Sequence, residues 1–387
     1  MTFADKGSRS IRLITAALLL AALALLGQRL LAQAPPIPTP EERDRMVSEI
    51  LAGHSDVSEK SRALGEAIYR RDCAACHDGG MDRAPTTDAL GYIAPGAILR
   101  VLTDGKMREQ AASLTQEEKV AVSEFISGRT LDSEAVTGPL MCTNNEGWFD
   151  LSQPPVLSGW GLDQGNAHSI PAAVSGLTRE NIGSLELKWA FGFPDAYYSR
   201  SQPAIAGGAL FVGGDDGNVY ALDPASGCAH WAFHASGPVR MGIVAGDWQA
   251  GDPGAEPLLY FGDLLGNAYA VHARSGELAW RRLMDEHKSV TLTASPALHG
   301  GVVYFPLSSL EEPAAANPAY ECCTFRGALA ALAADTGEEL WRSYMVDEAE
   351  PTAPNVNGVQ QHGPSGVAIW ATPLVDGERG LLYVVTG

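Results

Sequence analysis

Apolar and polar positions alternate along this chain in two different periods, and the change of period divides it. Between residues 58 and 128 apolar side chains recur at helical spacing. Ala63, Leu64, Ala67 and Ile68 follow Ser58 and Ser61, two candidate helix caps. Farther on, Thr115-Gln116-Glu117-Glu118 has the form of a capping box, and the helix it opens carries Val120, Val122, Phe125 and Ile126 and stops at Gly128. From about residue 185 the runs shorten, become β-rich and turn on glycine. They also repeat. One unit reads Val219-Tyr220-Ala221-Leu222-Asp223, then Ser226-Gly227, then Trp231. It returns as Ala268-Tyr269-Ala270-Val271 with Ser275-Gly276 and Trp280, and as Leu329-Ala330-Ala331-Leu332 with Thr336-Gly337 and Trp341. In each copy the tryptophan stands four residues after the glycine, and Trp189, behind Leu185 and Leu187, is a first, atypical copy. A second unit alternates with it, from Pro203 to Phe211, Pro296 to Tyr304 and Pro373 to Tyr383. The tryptophans are 42, 49 and 61 residues apart, the length of a four-stranded blade plus loops. The expected fold is an all-α N-terminal domain followed by an all-β propeller whose tryptophans pack between blades. A two-sheet sandwich would leave the recurring Gly-x-x-x-Trp unexplained. About four blades are expected, and Gly387 falls in mid-strand with no strand that closes a ring, so the chain reads as a fragment.

Inside the helical part lies Cys73-Ala74-Ala75-Cys76-His77, a C-x-x-C-H run, the attachment pattern of a c-type haem. Two thiols three apart on a helical turn can each add to one vinyl group of the same haem, and the next histidine is placed to ligate the iron. A zinc site would need a second ligand pair, and a disulfide oxidoreductase has no need of the adjacent histidine. A thioether as sixth ligand suits an electron carrier because it raises the potential. Met107, thirty residues past His77 and ahead of the last helix, is the candidate. Met81, four residues past His77, is too close to swing over the far haem face. The other eight of the nine histidines carry no motif.

Charge and the N-terminus set the compartment. A net charge of −19 argues against nucleic acid and against an anionic membrane surface, and suits a soluble periplasmic protein or one that meets a basic cytochrome. Lys6, Arg9 and Arg12 precede an apolar run from Leu13 to Leu26, the layout of a secretory signal and short for a membrane span. Ala32-Gln33-Ala34 has the small residues of a cleavage site but Pro35 follows, so a retained membrane anchor stays open. The expected divisions are a leader or anchor at 1–34, a proline-rich linker at 35–57, a cytochrome c domain at 58–135, a connector at 136–184 and a partial propeller at 185–387. Of the six cysteines, two belong to the haem and Cys322 and Cys323 are adjacent; Cys142 and Cys228 can pair in an oxidising compartment.

Gly-x-x-x-Trp blades behind a C-x-x-C-H domain resemble the haem-containing quinoprotein alcohol dehydrogenases that use pyrroloquinoline quinone (PQQ). The type is that of the cytochrome-bearing polyvinyl-alcohol dehydrogenases, with the haem domain first. The resemblance covers roughly residues 58–387 and is most specific at 187–193, Ser308-Ser309-Leu310-Glu311-Glu312, 321–327 and 363–370. It implies an eight-bladed PQQ-type propeller with the cofactor over its central funnel, of which about half is matched. Trp370 resembles the tryptophan that forms a floor under the PQQ rings, a stacking surface that a flat quinone needs. Glu311 resembles the carboxylate that binds calcium (Ca2+) beside PQQ, with Glu312 as the adjacent alternative. Ser308 and Thr293 resemble hydroxyls that hydrogen-bond PQQ, and Arg240 an arginine near its oxygens and carboxylates. Cys322-Cys323 resembles the vicinal disulfide of the methanol dehydrogenases, although that pair lies two blades earlier. The family's catalytic aspartate and a calcium-binding asparagine are expected beyond Gly387, so no catalytic residue is assigned here.

The resemblance implies an exported enzyme that oxidises secondary hydroxyls of an alcohol or polyol and passes electrons through haem c to an acceptor cytochrome, touching a membrane only through an N-terminal anchor. Two sequential one-electron transfers follow from a two-electron quinone and a one-electron haem. A non-catalytic propeller that serves as a scaffold for protein partners is the competing class. It has no use for a haem, for Glu311 or for the Cys322-Cys323 loop. A third reading is a truncated product that binds haem and oxidises nothing.

Overall fold

A computed structural model describes residues 57–78, 81, 84–131, 139–162, 167–194, 196 and 198–387. The expected leader at 1–34 and the expected linker as far as residue 56 lie outside the described residues. Helix α1 (Glu59–Ile68) starts where the Ser58 side chain accepts the backbone N–H of Ser61. Ser58 is therefore the cap, while the Ser61 hydroxyl donates across to Glu124. The helix runs on through a π-helical turn, Tyr69–Cys73, into the short α2 (Ala74–His77). Next come α3 (Thr87–Leu90), α4 (Pro95–Thr103), with proline in its first turn, and α5 (Gln116–Ser127). The capping box of Thr115 and Glu118 forms as its spacing predicts, and Gly128 ends α5 in the left-handed region at φ 66°. Helices α1 and α5 cross at Gly65, where any Cβ would strike the Ala121 carbonyl. The core beneath holds Ile68, Tyr69, Ile98, Leu102 and Val122. Of the four apolar positions expected in α1, only Leu64 and Ile68 turn toward it; Ala63 and Ala67 are exposed, because residues four apart share one narrow face.

The remainder is a series of antiparallel sheets. The first contains β1 (Ala204–Ala206), β2 (Ala209–Gly213), β3 (Asn218–Leu222) and β4 (Ala229–His234), each strand paired to the next. The second repeats the order with β5 (Val244–Ala245), β6 (Leu258–Gly262), β7 (Asn267–His272) and β8 (Leu278–Leu283). In the third, β9 (Val290–Thr291) pairs with the far end of β11 (Val302–Ser309), which otherwise lies between β10 (Ala297–His299) and β12 (Ala328–Ala333), followed by β13 (Glu339–Tyr344). Two further pairs follow, β14 (Glu350–Pro351) with β15 (His362–Gly363), and β16 (Leu374–Asp376) with β17 (Leu381–Tyr383). A register shift recurs between the third and fourth strands of each sheet, at Ala221/Leu222, Ala270/Val271 and Ala331/Leu332. It sets Trp231, Trp280 and Trp341 opposite Ala221, Ala270 and Ala331.

These tryptophans join one sheet to the next. A Cβ on Gly276 would lie 2.7 Å from the Trp231 ring, and one on Gly337 would lie 2.6 Å from the Trp280 ring. Each indole N–H then donates to a backbone carbonyl of the following sheet, Trp231 to Ala273 at 3.0 Å and Trp280 to Ala334 at 2.9 Å. Trp189 does the same against Gly227 and the Pro224 carbonyl, although its segment forms no strand. Trp341 departs from the expected packing between blades: it is 42% exposed beside Tyr304. The connector is tied to the first sheet by a Cys142–Cys228 disulfide and by an antiparallel bridge of Leu157 with Ile205. Among the described residues no helix is long and apolar enough to cross a membrane.

The close approach of indole and glycine is separable from the glycine's backbone conformation. Gly276 (φ 71°) faces an indole, whereas Gly300 (φ 58°) has no atom within 4 Å of a built Cβ. Gly300→Ala should cost about 1 kcal/mol, the ordinary penalty of a left-handed alanine. Gly276→Ala should cost at least about 2 kcal/mol more, since overpacking adds to that penalty. Urea unfolding of both variants measures the difference, and equal midpoints would remove the indole contact as a source of stability.

Candidate functional site

The haem motif starts at the apolar core of the helical part, against which Cys73 and Ala74 pack. Cys73 closes the π-helical turn, and Cys76 and His77 follow in α2. Both thiols are free and half-buried. Burial, with Asp72 and Cys76 nearby, pushes the Cys73 thiol up to about 11. The His77 ring is held by Nδ1 at 2.7 Å from the Pro85 carbonyl, which leaves Nε2 as the nitrogen for an iron ligand. Met107 packs against the same core as Cys73 and Ala74. Met81 is 56% exposed and does not join that core. Two free thiols and an oriented imidazole in one short segment, with the Met107 thioether on the core that Cys73 packs against, fit a covalent haem with His77 and Met107 as ligands.

A second constellation is built by the repeat. Arg200, Arg240, Thr293 and Trp370 each stand four residues ahead of the first strand of a sheet, β1, β5, β10 and β16. Neighbouring segments are linked: Ile243 N–H donates to the Gln202 carbonyl at 3.2 Å, Gly242 N–H to Ser295 Oγ at 2.7 Å, and Ile369 N–H to the Leu307 carbonyl at 3.2 Å. Trp370 is therefore brought beside the end of β11, one residue from Ser308. Its indole is 46% exposed, so a ring face is accessible. β9 pairs Thr291 with Ser308, and the buried hydroxyls of Thr291, Thr293 and Ser308 have no protein partner. Three unpaired buried hydroxyls on one sheet end fit a ligand rich in hydrogen-bonding oxygens such as PQQ.

Arg240 and Arg200 share a counter-ion that the sequence did not single out. Asp215 lies 3.8 Å from Arg200, is 7% exposed, and keeps one buried oxygen unpartnered. Burial raises its carboxyl above the usual range, and Arg200 and Arg240 oppose that. Burial, then Arg200, draws the Arg240 guanidinium down, against the pull of Asp215. Position four ahead of the first strand was the available signal for Arg200, but it becomes visible only once the strands are aligned.

Glu311 begins α7 (Glu311–Ala315) and is buried, whereas the adjacent Glu312 is exposed. Its oxygens accept the Thr324 and Phe325 backbone N–H groups, both at 2.9 Å, and the Tyr320 hydroxyl at 3.2 Å. His287 Nε2 lies 3.6 Å from the same carboxylate and 3.1 Å from Thr324 Oγ1, so this histidine belongs to the cluster although no motif marked it. The loop so held carries the Cys322–Cys323 disulfide, whose backbone exchanges hydrogen bonds with His362. Burial pushes the Glu311 carboxyl up, and the His287, Thr324 and Phe325 donors outweigh it, so it stays below the usual carboxylate range. Among the described residues no group of three His, Cys, Asp or Glu side chains is placed to hold a metal. These residues alone thus do not make a calcium site, and no chemistry is derived through one.

Comparison with known proteins gives the family of the chain. Residues 172–387 match the PQQ_2 family, described as outer membrane protein assembly factor BamB, and residues 61–126 match Cytochrome_CBB3, cytochrome c oxidase, cbb3-type, subunit III. The first match covers more than half of the 387 residues, so the chain belongs to the PQQ_2 family, with a helical cytochrome c region ahead of its propeller-like sheets. Its relatives include polyvinylalcohol dehydrogenase of Pseudomonas sp., 34% identical over 87% of this chain and 54% of the relative. Another is polyvinylalcohol dehydrogenase of Sphingopyxis sp. (strain 113P3), 34% identical over 83% and 51%. Among solved structures, quinohemoprotein alcohol dehydrogenase ADHIIG from Pseudomonas putida HK5 aligns over 64% of this chain and 37% of its own, at 21% identity and a TM-score of 0.46. The chain spans about half the length of the curated relatives it matches.

The Glu311 cluster is testable without a cofactor. Because its carboxyl is depressed, the stability it contributes is present above the unfolded glutamate value, ~4.3, and is lost as pH falls through the lower folded value. Glu311→Gln should remove this acid-sensitive part and leave one backbone N–H facing an amide NH2, a cost of about 1–3 kcal/mol near neutral pH. Urea unfolding across the acid range reads both effects, and a wild-type midpoint for the variant near neutrality would sink the assignment.

Proposed function

We propose that the chain is the cytochrome-bearing part of an exported, PQQ-dependent alcohol dehydrogenase that oxidises secondary hydroxyls, with polyvinyl alcohol or a similar polyol as substrate. The observation that carries this reading is the set of equivalent positions Arg200, Arg240, Thr293 and Trp370, beside three unpaired buried hydroxyls, at the sheet end that the cytochrome region contacts. PQQ, when bound, accepts two electrons with a hydride, and haem accepts one electron at a time. In the proposal Trp370 presents its indole face to the flat ring system, and Thr293 and Ser308 donate their free hydroxyl protons to its oxygens. Arg240 supplies a fixed cation for carboxylate or quinone oxygens, and Asp215 keeps Arg240 and Arg200 from repelling each other apart. Cys73 and Cys76 are the thioether donors, and His77 and Met107 the iron ligands. Glu311 is proposed as a calcium ligand whose partners are not among the described residues.

The finer divisions belong to the same proposal: a leader or anchor at 1–34, a linker at 35–57, the cytochrome domain at 58–135, a connector at 136–184, and a share of an eight-bladed ring at 185–387. So does the location in the periplasm, with an acceptor cytochrome as partner. The charge of −19 supports attraction to a basic one.

The test has four readings. Haem staining on a denaturing gel should be positive and be abolished in the double variant Cys73→Ser, Cys76→Ser. Met107→Ala should keep the stain and lose the near-infrared sulfur-to-iron band; a retained band would move the ligand to another residue. Trp370→Ala should bind PQQ roughly fivefold more weakly in a fluorescence titration, as expected for one lost aromatic stack of about 1 kcal/mol. Alcohol oxidation is expected only of a longer form that carries the catalytic base: there a secondary alcohol should reduce the haem only when PQQ is added, and haem reduction independent of PQQ would overturn the proposal.

A further inference from the structure

Two turns in the sheets share a device that the third repeat lacks. Ahead of β3 the chain reads Asp216-Gly217-Asn218-Val219-Tyr220, and ahead of β7 it reads Asp263-Leu264-Leu265-Gly266-Asn267-Ala268-Tyr269. Both aspartates are fully buried. Asp216 accepts the Asn218 backbone and side-chain N–H groups and the Tyr220 hydroxyl. Asp263 accepts the Leu265 and Asn267 backbone N–H groups, the Asn267 amide, and the Tyr269 hydroxyl at 2.7 Å. Ahead of β12 the places of the asparagine and tyrosine are taken by Ala328 and Ala330, and those of the two aspartates by Arg326 and Thr324, yet β12 pairs with its neighbours as β3 and β7 do. A buried carboxylate is costly unless such donors offset it. Strand pairing alone does not call for the knot.

What the two knotted turns have in common is contact with the cytochrome region. Arg100 of α4 donates to the Asp216 backbone carbonyl at 2.6 Å. The Leu265 side chain packs against the same core as Met107 and Cys73. It is backed by Gly237, where a Cβ would lie 2.9 Å from Leu265 Cγ. Lys106, immediately before Met107, lies in the fields of Arg281 and Asp263. Arg281 in turn donates to Asn267 Oδ1 at 2.7 Å, which ties it to the second knot.

We propose that the Asp216 and Asp263 turns form a rigid seat for the segment that carries Met107, and that Leu265 is the positioning residue for this iron ligand. The inference rests on the haem reading above. Met107 sits in a run of turns between α4 and α5, with no strand or long helix of its own to fix it. A thioether reaches iron through packing more than through charge, so the wall behind it governs the bond and hence the potential. A wall supplied by the sheets makes the haem's potential depend on its seating.

The test uses the whole chain with its haem attached and compares Leu265→Ser, Leu265→Met and Gly237→Ala. Leu265→Ser should keep the haem stain and its helical circular dichroism, lose most of the near-infrared sulfur-to-iron band, and titrate at a lower potential. Leu265→Met, which refills the space, should restore both readings. Gly237→Ala pushes Leu265 from behind and should disturb the band without touching the helical core, so the inference stays testable if the serine variant fails to fold. Band and potential unchanged in both Leu265→Ser and Gly237→Ala would overturn the seat while leaving haem ligation intact. A wild-type chain with no covalent haem would instead overturn the reading beneath it.

Discussion

Trp189, Trp231 and Trp280 each lie on a glycine of the following sheet and bond to a carbonyl beside it, and the placement of nearly everything else depends on that contact. A side chain at Gly227, Gly276 or Gly337 would meet the ring, so the sheets could not approach as they do. The positive φ of these glycines and the indole above them are satisfied by the same residue. Because the contact is repeated, successive sheets stand in equivalent relation, and residues at equivalent sequence positions come to one end. Arg200, Arg240, Thr293 and Trp370 are 170 residues apart from first to last, and only the repeated docking makes them neighbours in register.

Chemistry has been placed at that end by changing what the repeat leaves free. The turn after β11 is enlarged to hold α7 and the Cys322–Cys323 loop, fastened by Glu311, His287 and Tyr320. The equivalent turns of the first two sheets stay short and carry the Asp–Asn–Tyr knots instead. One position in the repeat thus takes two forms, an enlarged, fastened loop in the third sheet and contact with the cytochrome region in the first two. Buried charge is treated in the same local way. Asp215 is offset by arginines, Asp263 by four donors, and Glu311 by backbone N–H groups.

Residues adjacent in sequence, or periodic in it, can be read from the chain alone. The C-x-x-C-H run, the capping box, the glycine that stops α5 and the three Gly-x-x-x-Trp copies are local patterns whose physics acts over a few residues. The strand pairs opened by proline are equally local and form at the expected places, β1–β2, β10–β11 and β16–β17. Legibility fails where a role depends on distant partners. Ser61 and Ser58 look alike in sequence, but only the long-range contact with Glu124 separates them. His287 and His362 carry no motif because their partners come from the Glu311 loop, far from either along the chain.

The sequence by itself determined the two kinds of secondary structure, the period of the repeat and the haem attachment chemistry, because each follows from spacing along one segment. Tertiary structure separated the members of each ambiguous pair: Glu311 is buried and Glu312 exposed, and Met107 joins the apolar core while Met81 lies outside it. It also decided that Cys142 meets Cys228. Arg200 is paired with Asp215, and Leu265 brought to the core that Met107 packs against, in the same way. The physical reason is that burial and pairing belong to the space between segments, and that space exists only after the sheets have docked.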